Sequence, residues 1–267
     1  MSNNNKYDKL INIFEENNSE LNFHNPKFEI AKSRILATMT KDNNTGVSFL
    51  IGDAGVGKSF LVKSLAKEIS INHKVILITE FIHSEKELLQ TIYKNLNSKS
   101  LADNIDVVKM RERVNESLRR EVHILIVDKA HSLSIELLNR LAFGVSNKIM
   151  NLLLVFDDDS GKHLLSNGTL KSYVRNIIKI ENLSLEDNEN LIRGFLSSEE
   201  LKQELLFLLK NNRQIHDFTK GNFASLKLFF KNFFSILSIA EKEKIKKYQK
   251  MNDCLLIMSA LESNLIK

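Results

Sequence analysis

One cysteine, one proline, no tryptophan and nine glycines leave this 267-residue sequence short of the residues that staple or punctuate a fold. Cys254 alone can close no intrachain disulfide and build no Cys-rich zinc site, so nothing points to an oxidising compartment and a cytoplasmic setting is expected. The seven histidines are scattered without a metal-ligand spacing such as His-x-x-x-His, which leaves them core, surface or hydrogen-bonding roles. No apolar run approaches the roughly 18 residues needed to cross a bilayer, and the opening Met1-Ser2-Asn3-Asn4-Asn5-Lys6 lacks the apolar stretch of a signal peptide. Neither membrane insertion nor export is expected. Charge of one sign is also scarce: 38 basic residues face 33 acidic ones, and the formal charge of +5 is spread widely, which permits a polyanionic partner without requiring one. What is present is enough apolar material for a core, 43% of the residues, which excludes wholesale disorder. The length suits one α/β domain with an appendage, or two domains.

Short β-branched and apolar runs at 47–51, 74–79, 122–127 and 151–156 read as buried strands, with a weaker fifth at 176–180. Segments 59–70, 84–96, 105–120 and 134–145 between them carry helical spacing, and Ser84 with Glu87 forms a capping-box pattern. Asn25 and Pro26 open an earlier helix as N-cap and first residue, running to about Thr40, and a short helix surrounds Leu10 to Phe14. Fully apolar strands alternating with amphipathic helices predict an α/β fold, a parallel sheet covered on both faces. Beyond Leu183 no strand is expected. Ser184, Ser198 and Asn222 read as N-caps and residues 240–266 as one long helix; Phe218, Phe223, Phe229, Phe230, Phe233 and Phe234 have the helical spacing of a core for this part, and the Phe-Phe pairs also suit a subunit or partner interface. The division expected is an N-terminal extension (1–25), a nucleotide-binding domain (26–182) and an all-helical domain (183–267).

Three of the nine glycines sit in one loop, Gly52-Asp53-Ala54-Gly55-Val56-Gly57-Lys58-Ser59, placed directly after the first strand and continuing from Phe60 as a helix. This is the Walker A pattern in its required strand, loop and helix context. The glycines let the backbone turn its N–H groups toward one point, and the helix adds its positive end. Lys58 would reach the β and γ phosphates of ATP, and the Ser59 hydroxyl would complete the shell of a Mg²⁺ ion. Asp128, at the end of the run 122–127, supplies the carboxylate such a site needs for Mg²⁺. Lys129 follows it, where many hydrolases of this kind carry a Glu that polarises the attacking water. An ammonium cannot take that proton near neutral pH, and losing general-base assistance costs about 10²–10⁴ in rate.

The order of these segments, with Ser84 to Ile92 and Ile124 to Leu133 (…Ile-Val-Asp-Lys-Ala-His-Ser-Leu), resembles the AAA+ ATPases of the ExeA and TniB/TnsC type over roughly residues 28–230. The first are secretion and pilus-assembly ATPases and the second transposon ATPases that choose DNA targets. The resemblance implies a P-loop NTPase parallel sheet of five strands, the Walker A strand central, with a C-terminal helical lid, and ATP and Mg²⁺ as cofactors. It also implies subunits that associate through nucleotide, with double-stranded DNA and a transposase, or a secretion component, as partners. Within it, Lys129 stands at the catalytic Glu position and is expected to slow hydrolysis, His131 is retained, and the polar sensor falls on Asp157 or Asp158. Ala224 stands at the Arg of the lid's sensor-2 sequence, where Lys220 or Lys227 could substitute electrostatically but not in geometry. Arg175 matches the place of an arginine finger offered to a neighbouring subunit. The basic residues Arg111, Arg113, Arg119 and Arg120 are interleaved with acids, and could touch DNA phosphates or simply be solvated.

Overall fold

Strands rich in β-branched and apolar residues stay extended when both faces are covered, and the helices between them supply the cover. The computed structural model describes residues 6–15, 26–40, 46–102, 104–119, 121, 123–147, 150–166, 168–245 and 251–267. Its helices and strands run in chain order as α1 (Lys6–Glu15), α2 (Pro26–Met39), β1 (Val47–Ile51), α3 (Lys58–Ile69), β2 (Lys74–Ile78), α4 (Glu85–Asn97), α5 (Val107–Leu118), β3 (His123–Val127), α6 (Ile135–Ser146), β4 (Met150–Phe156), α7 (Asp158–Ser166), α8 (Gly168–Lys171), β5 (Val174–Lys179), α9 (Leu185–Phe195), α10 (Lys202–Lys210), α11 (Asn212–Thr219), α12 (Phe223–Lys242) and α13 (Asp253–Glu262). Short 3-10 turns at Ala130–Ser132 and Glu199–Leu201 complete the described elements.

The five strands form one parallel sheet in the order β2-β3-β4-β1-β5. The Walker A strand β1 is therefore interior, as the resemblance implies, but the middle place belongs to β4. Every residue of β1, β3 and β4 is buried, whereas the edge strand β5 alternates and exposes Arg175, Ile177 and Lys179. That alternation is why its apolar signal is the weakest of the five. Parallel strands align their C-terminal ends, so the loops after β1, β3 and β4 emerge on one side, where open α/β sheets bind ligands.

Backbone contacts divide the chain into two units: a sheet unit of Lys27–Ala54 and Lys58–Ile180, and a helical unit holding Glu181–Lys267, Gly55–Gly57 and the segment that carries α1. In the helical unit Phe229, Phe230, Phe233 and Phe234 are buried on α12, and Phe14 of α1 stacks on Phe234, tilts against Phe230 and meets Phe195 edge-on. Phe218 is half-buried and tilts against Phe229. The first helix is thus part of this core. By length and composition α12 is long and apolar enough to cross a membrane, although Lys227 and Lys231 interrupt its apolar run. About half of its apolar window is buried inside the helical unit, as a core helix would be.

N-caps fall where serine and asparagine predict them: Ser84, Ser134, Ser184 and Asn222 each accept a backbone N–H of the following turn. Asn25, the expected N-cap of α2, lies outside the described residues. At Ser84 the reciprocal half of the capping box is displaced, because Glu87 accepts from the N–H of His83; the complete box is at Ser184 with Asp187. Residues 240–266 do not form one helix. After α12, Lys244 turns left-handed (φ 56°), the Ile245 N–H returns to Ala240 O, and Asn252 caps α13 afresh.

Candidate functional site

The loop after β1 takes its shape from two glycines. Gly55 (φ +80°) and Gly57 (φ +102°) occupy the left-handed region that L side chains avoid, and α3 begins at Lys58 itself. Val56 between them is buried. Asp53, Ala54 and Ser59 are exposed, Gly52 is buried, and Phe60 is half-buried in the first turn of α3. The Lys58 ammonium donates to Gly52 O at 2.6 Å and to Asp53 O at 2.7 Å, so it lies over the mouth of its own loop. Burial is the largest influence on it and draws its pKa below the ordinary lysine value. Asp157, Asp128, Asp53 and Asp158 pull in the opposite direction.

Asp128 leaves the end of β3 almost fully buried, its own N–H donating to Ile78 O at 2.8 Å. Its Oδ1 accepts the backbone N–H of Lys129 at 3.0 Å. The Lys129 ammonium does not pair with that carboxylate: it lies 4.4 Å from the centre of the Phe81 ring, and the residue itself is left-handed (φ 56°). Phe81, about half exposed, also meets His131 edge-on and stacks against His83. Sequence reasoning missed Phe81, because an aromatic two positions after an apolar strand gives no signal of what it will face.

Register fixes the third side of the site. Ile51 pairs with Phe156, and Val127 pairs with Leu154, so Asp157 stands at the end of β4 between the loop on one side and Asp128 on the other. Its carboxylate accepts the Ser160 N–H (2.7 Å) and hydroxyl (2.9 Å), which makes it the cap of α7, a helix the sequence reading did not anticipate. The His131 ring nitrogen Nδ1 lies 3.4 Å from Asp157 Oδ2. Burial acts most strongly on Asp157 and raises its pKa, yet the Ser160 bonds and His131 together hold it below the ordinary carboxylate value. Asp158 is held low chiefly by the hydrogen bond from Lys162, one turn on, and its Oδ1 is buried with no hydrogen-bond partner among the described residues. Both acids stay ionised near neutral pH.

Lys58, Asp128, Asp157 and Asp158 are therefore brought together; Arg175 is not. It lies inside β5, at that strand's first paired residues, and a Cβ on Gly46 would touch its Cδ at 3.0 Å. Both positions mark the N-terminal end of the strands, opposite the loop. Lys179, paired with Ile51 at the other end of β5, is on the loop side and acts on Asp158 electrostatically. It went unread because a lysine closing a weak strand looks like an edge residue. Arg111 is already engaged: it and Arg140 share the carboxylate of Glu85. Arg120 is outside the described residues.

In the helical unit, Ala224 at the sensor-2 position donates its backbone N–H to Gly55 O (2.9 Å), so a methyl group and an amide, not a guanidinium, meet the loop tip. Lys220 is the left-handed cap of α11, and Gly221 (φ +67°) is pressed on Leu183 O, which a Cβ would approach to 2.1 Å.

The donor set suits a nucleotide with Mg²⁺. A glycine-shaped loop opens a helix, a lysine stands over it, and a serine hydroxyl and a buried carboxylate oxygen are the hard ligands that Mg²⁺ takes. Residues 41–165 match the family model of an AAA domain, just under half of the chain. No curated protein matches the sequence significantly. Among solved structures, Cdc6p from Pyrobaculum aerophilum superposes with a TM-score of 0.66 at 14% identity, covering 85% of this chain and 65% of that one. The ORC1 protein of Aeropyrum pernix, solved in complex with DNA, gives 0.64 at 12%, covering 91% and 66%. Domain III of the Thermotoga maritima replication initiation protein DnaA gives 0.56 at 18%, covering 94% and 97%. This chain spans just under two thirds of the first two proteins. The fold is that of AAA+ P-loop ATPases; an ExeA or TniB/TnsC relationship in particular is not among these likenesses.

Proposed function

We propose that this protein, on the premise of its AAA+ P-loop fold, is an ATP-binding switch that works through association of its own copies in DNA transactions. The observation that carries this reading is the placement of the loop leading to Lys58, of Asp157 and of Asp128 after the ends of neighbouring strands β1, β4 and β3. In that arrangement the loop amides and Lys58 hold the phosphates, Ser59 and Asp128 hold Mg²⁺, and Arg175 is offered to a neighbouring copy. Hydrolysis is slow, because Lys129 cannot act as general base and its ammonium is occupied by Phe81. A long-lived ATP state follows. The sequence resemblance supports a transposition-type role in the cytoplasm with duplex DNA and a transposase as partners; the same fold in a DNA-bound ORC1 supports DNA in general, including replication initiation. The domain limits proposed are 1–25, 26–182 and 183–267, with α1 assigned functionally to the helical part.

Phosphate release by purified protein, compared with Lys129→Glu, tests the impairment. The variant should gain about 10²-fold or more, and brisk wild-type turnover with no gain removes Lys129 from the account. Duplex DNA binding across a salt series, with and without ATP, tests the partner: affinity should fall steeply with salt, and a flat response or no binding argues for the secretion-type alternative.

A further inference from the structure

We infer that Asp157 and Asp158 make this site discriminate against a third phosphate, so that nucleoside diphosphate is held more tightly than triphosphate. The inference rests on the phosphate-loop reading above and concerns the regulation of that same site. A β-phosphate seated in the loop lies above the end of β1. A γ-phosphate must extend from there toward the Mg²⁺ ligand Asp128 at the end of β3, and β4 lies between those two strands. Neighbouring strands are about 4.8 Å apart, so the added phosphate passes within a few ångströms of the end of β4. The residues waiting there are two carboxylates.

The cations around them compensate Asp158 more than Asp157. Lys162 pairs with Asp158, and Lys179 and Lys58 act on it electrostatically; Lys58 is at the same time bonded to the carbonyls of Gly52 and Asp53, and Lys129 sits on Phe81. His131 faces Asp157 at 3.4 Å but carries a charge only when protonated. Asp158 keeps one buried oxygen with no hydrogen-bond donor among the described residues. One further unit of negative charge at such a distance costs on the order of tenfold in affinity at the effective dielectric of a partly buried site. Occupancy would then follow the ratio of triphosphate to diphosphate and not triphosphate alone, which suits a switch that turns over slowly.

The test is the affinity of the full chain for fluorescent ADP and ATP, each with Mg²⁺, by titration. Wild type should favour ADP by about tenfold. Asp157→Asn keeps the helix cap, since asparagine accepts the Ser160 N–H as well as aspartate does, yet removes the charge; it should strengthen ATP binding more than ADP binding and shrink the ratio. Asp158→Asn, which removes the second charge and weakens the Lys162 pairing, should act in the same direction. Equal wild-type affinities, or a ratio unmoved by both variants, overturn the discrimination and leave the phosphate loop standing. Wild type that binds neither nucleotide, or Lys58→Ala that binds both unchanged, overturns the phosphate-loop reading and the discrimination with it.

Discussion

Gly55 is the residue on which loop and helical unit both depend. A Cβ there would lie 2.5 Å from Asn222 Oδ1 and 3.1 Å from the Ala224 methyl, and the backbone is already left-handed. Gly55→Ala should therefore lower stability by about 1–3 kcal/mol and weaken ATP binding together, read from urea unfolding and nucleotide titration; a stable variant with normal binding would mean that the loop can shift freely. The glycine itself was legible as one of three in a phosphate loop, although the Walker pattern fixes only Gly52 and Gly57, but the reason it tolerates nothing larger was not. Asn222 and Ala224 are distant in sequence, and only folding brings them over the loop. The same holds for Lys129: its identity announced a missing base, while its partner Phe81 depended on where the end of β2 delivers an exposed ring. Asp157 was legible as a polar group ending a strand, but not as the cap of a helix, since Asp-Asp-Asp-Ser-Gly reads as a turn.

At the scale of elements, α1 was read as an extension because its polar, asparagine-rich surroundings hide three buried residues, Tyr7, Leu10 and Phe14. What fixes it is chemical as well as apolar. The Tyr7 hydroxyl donates to buried Glu204 at 2.6 Å, and the Lys6 ammonium to the same oxygen at 2.7 Å, pinning α1 to α10. Burial is the largest influence on Glu204 and pushes its pKa up, but the bonds from Lys6 and Tyr7 outweigh it and hold the carboxyl below its ordinary value. Burial first, then Glu204, drive the Tyr7 pKa upward. A carboxyl lowered in the fold stabilises above its unfolded pKa, and that stability is lost as pH falls through the folded value. A phenol raised in the fold stabilises below its unfolded pKa of 10.0, and that stability is lost as pH climbs beyond it. Stability of the helical unit should thus plateau between the two limits, and Tyr7→Phe should remove the alkaline decline, shift the acid decline upward in pH and cost about 1.5–3 kcal/mol at neutrality. Denaturant midpoints measured across pH decide it: an alkaline decline that survives in the variant assigns it to another group. Sequence reasoning found the caps Ser84, Ser184 and Asn222 because a cap is a local hydrogen bond; Ser198, read as a fourth, gives only its carbonyl to the Leu201 N–H, and α10 starts after Leu201 without a side-chain cap. It lost the break after α12 because a lysine in the left-handed region leaves no mark in composition.

At the scale of the molecule, the parallel sheet was readable from four apolar runs, but the strand order was not, since order is decided by which helices cross over which face. That order gives Arg175 its meaning. It and Lys179 lie four residues apart on one strand, roughly 13 Å at the rise of a parallel strand, and Lys179 is the one level with Ile51 and the loop. Arg175 therefore cannot serve its own phosphates. If it acts in catalysis, it does so on those of another copy, and the consequence is a dependence on concentration that no residue of the resident site would show. In the Lys129→Glu background, where turnover is measurable, Arg175→Ala should leave ATP affinity unchanged and leave the slow rate of dilute protein unchanged. It should remove the acceleration seen when copies associate, a loss of about 10³-fold or more for a finger in trans, with sedimentation recording the association directly. A loss that is equal in dilute and concentrated protein would place the effect of Arg175 in the stability of β5 beside Gly46, where its side chain packs, and not in a neighbour's site.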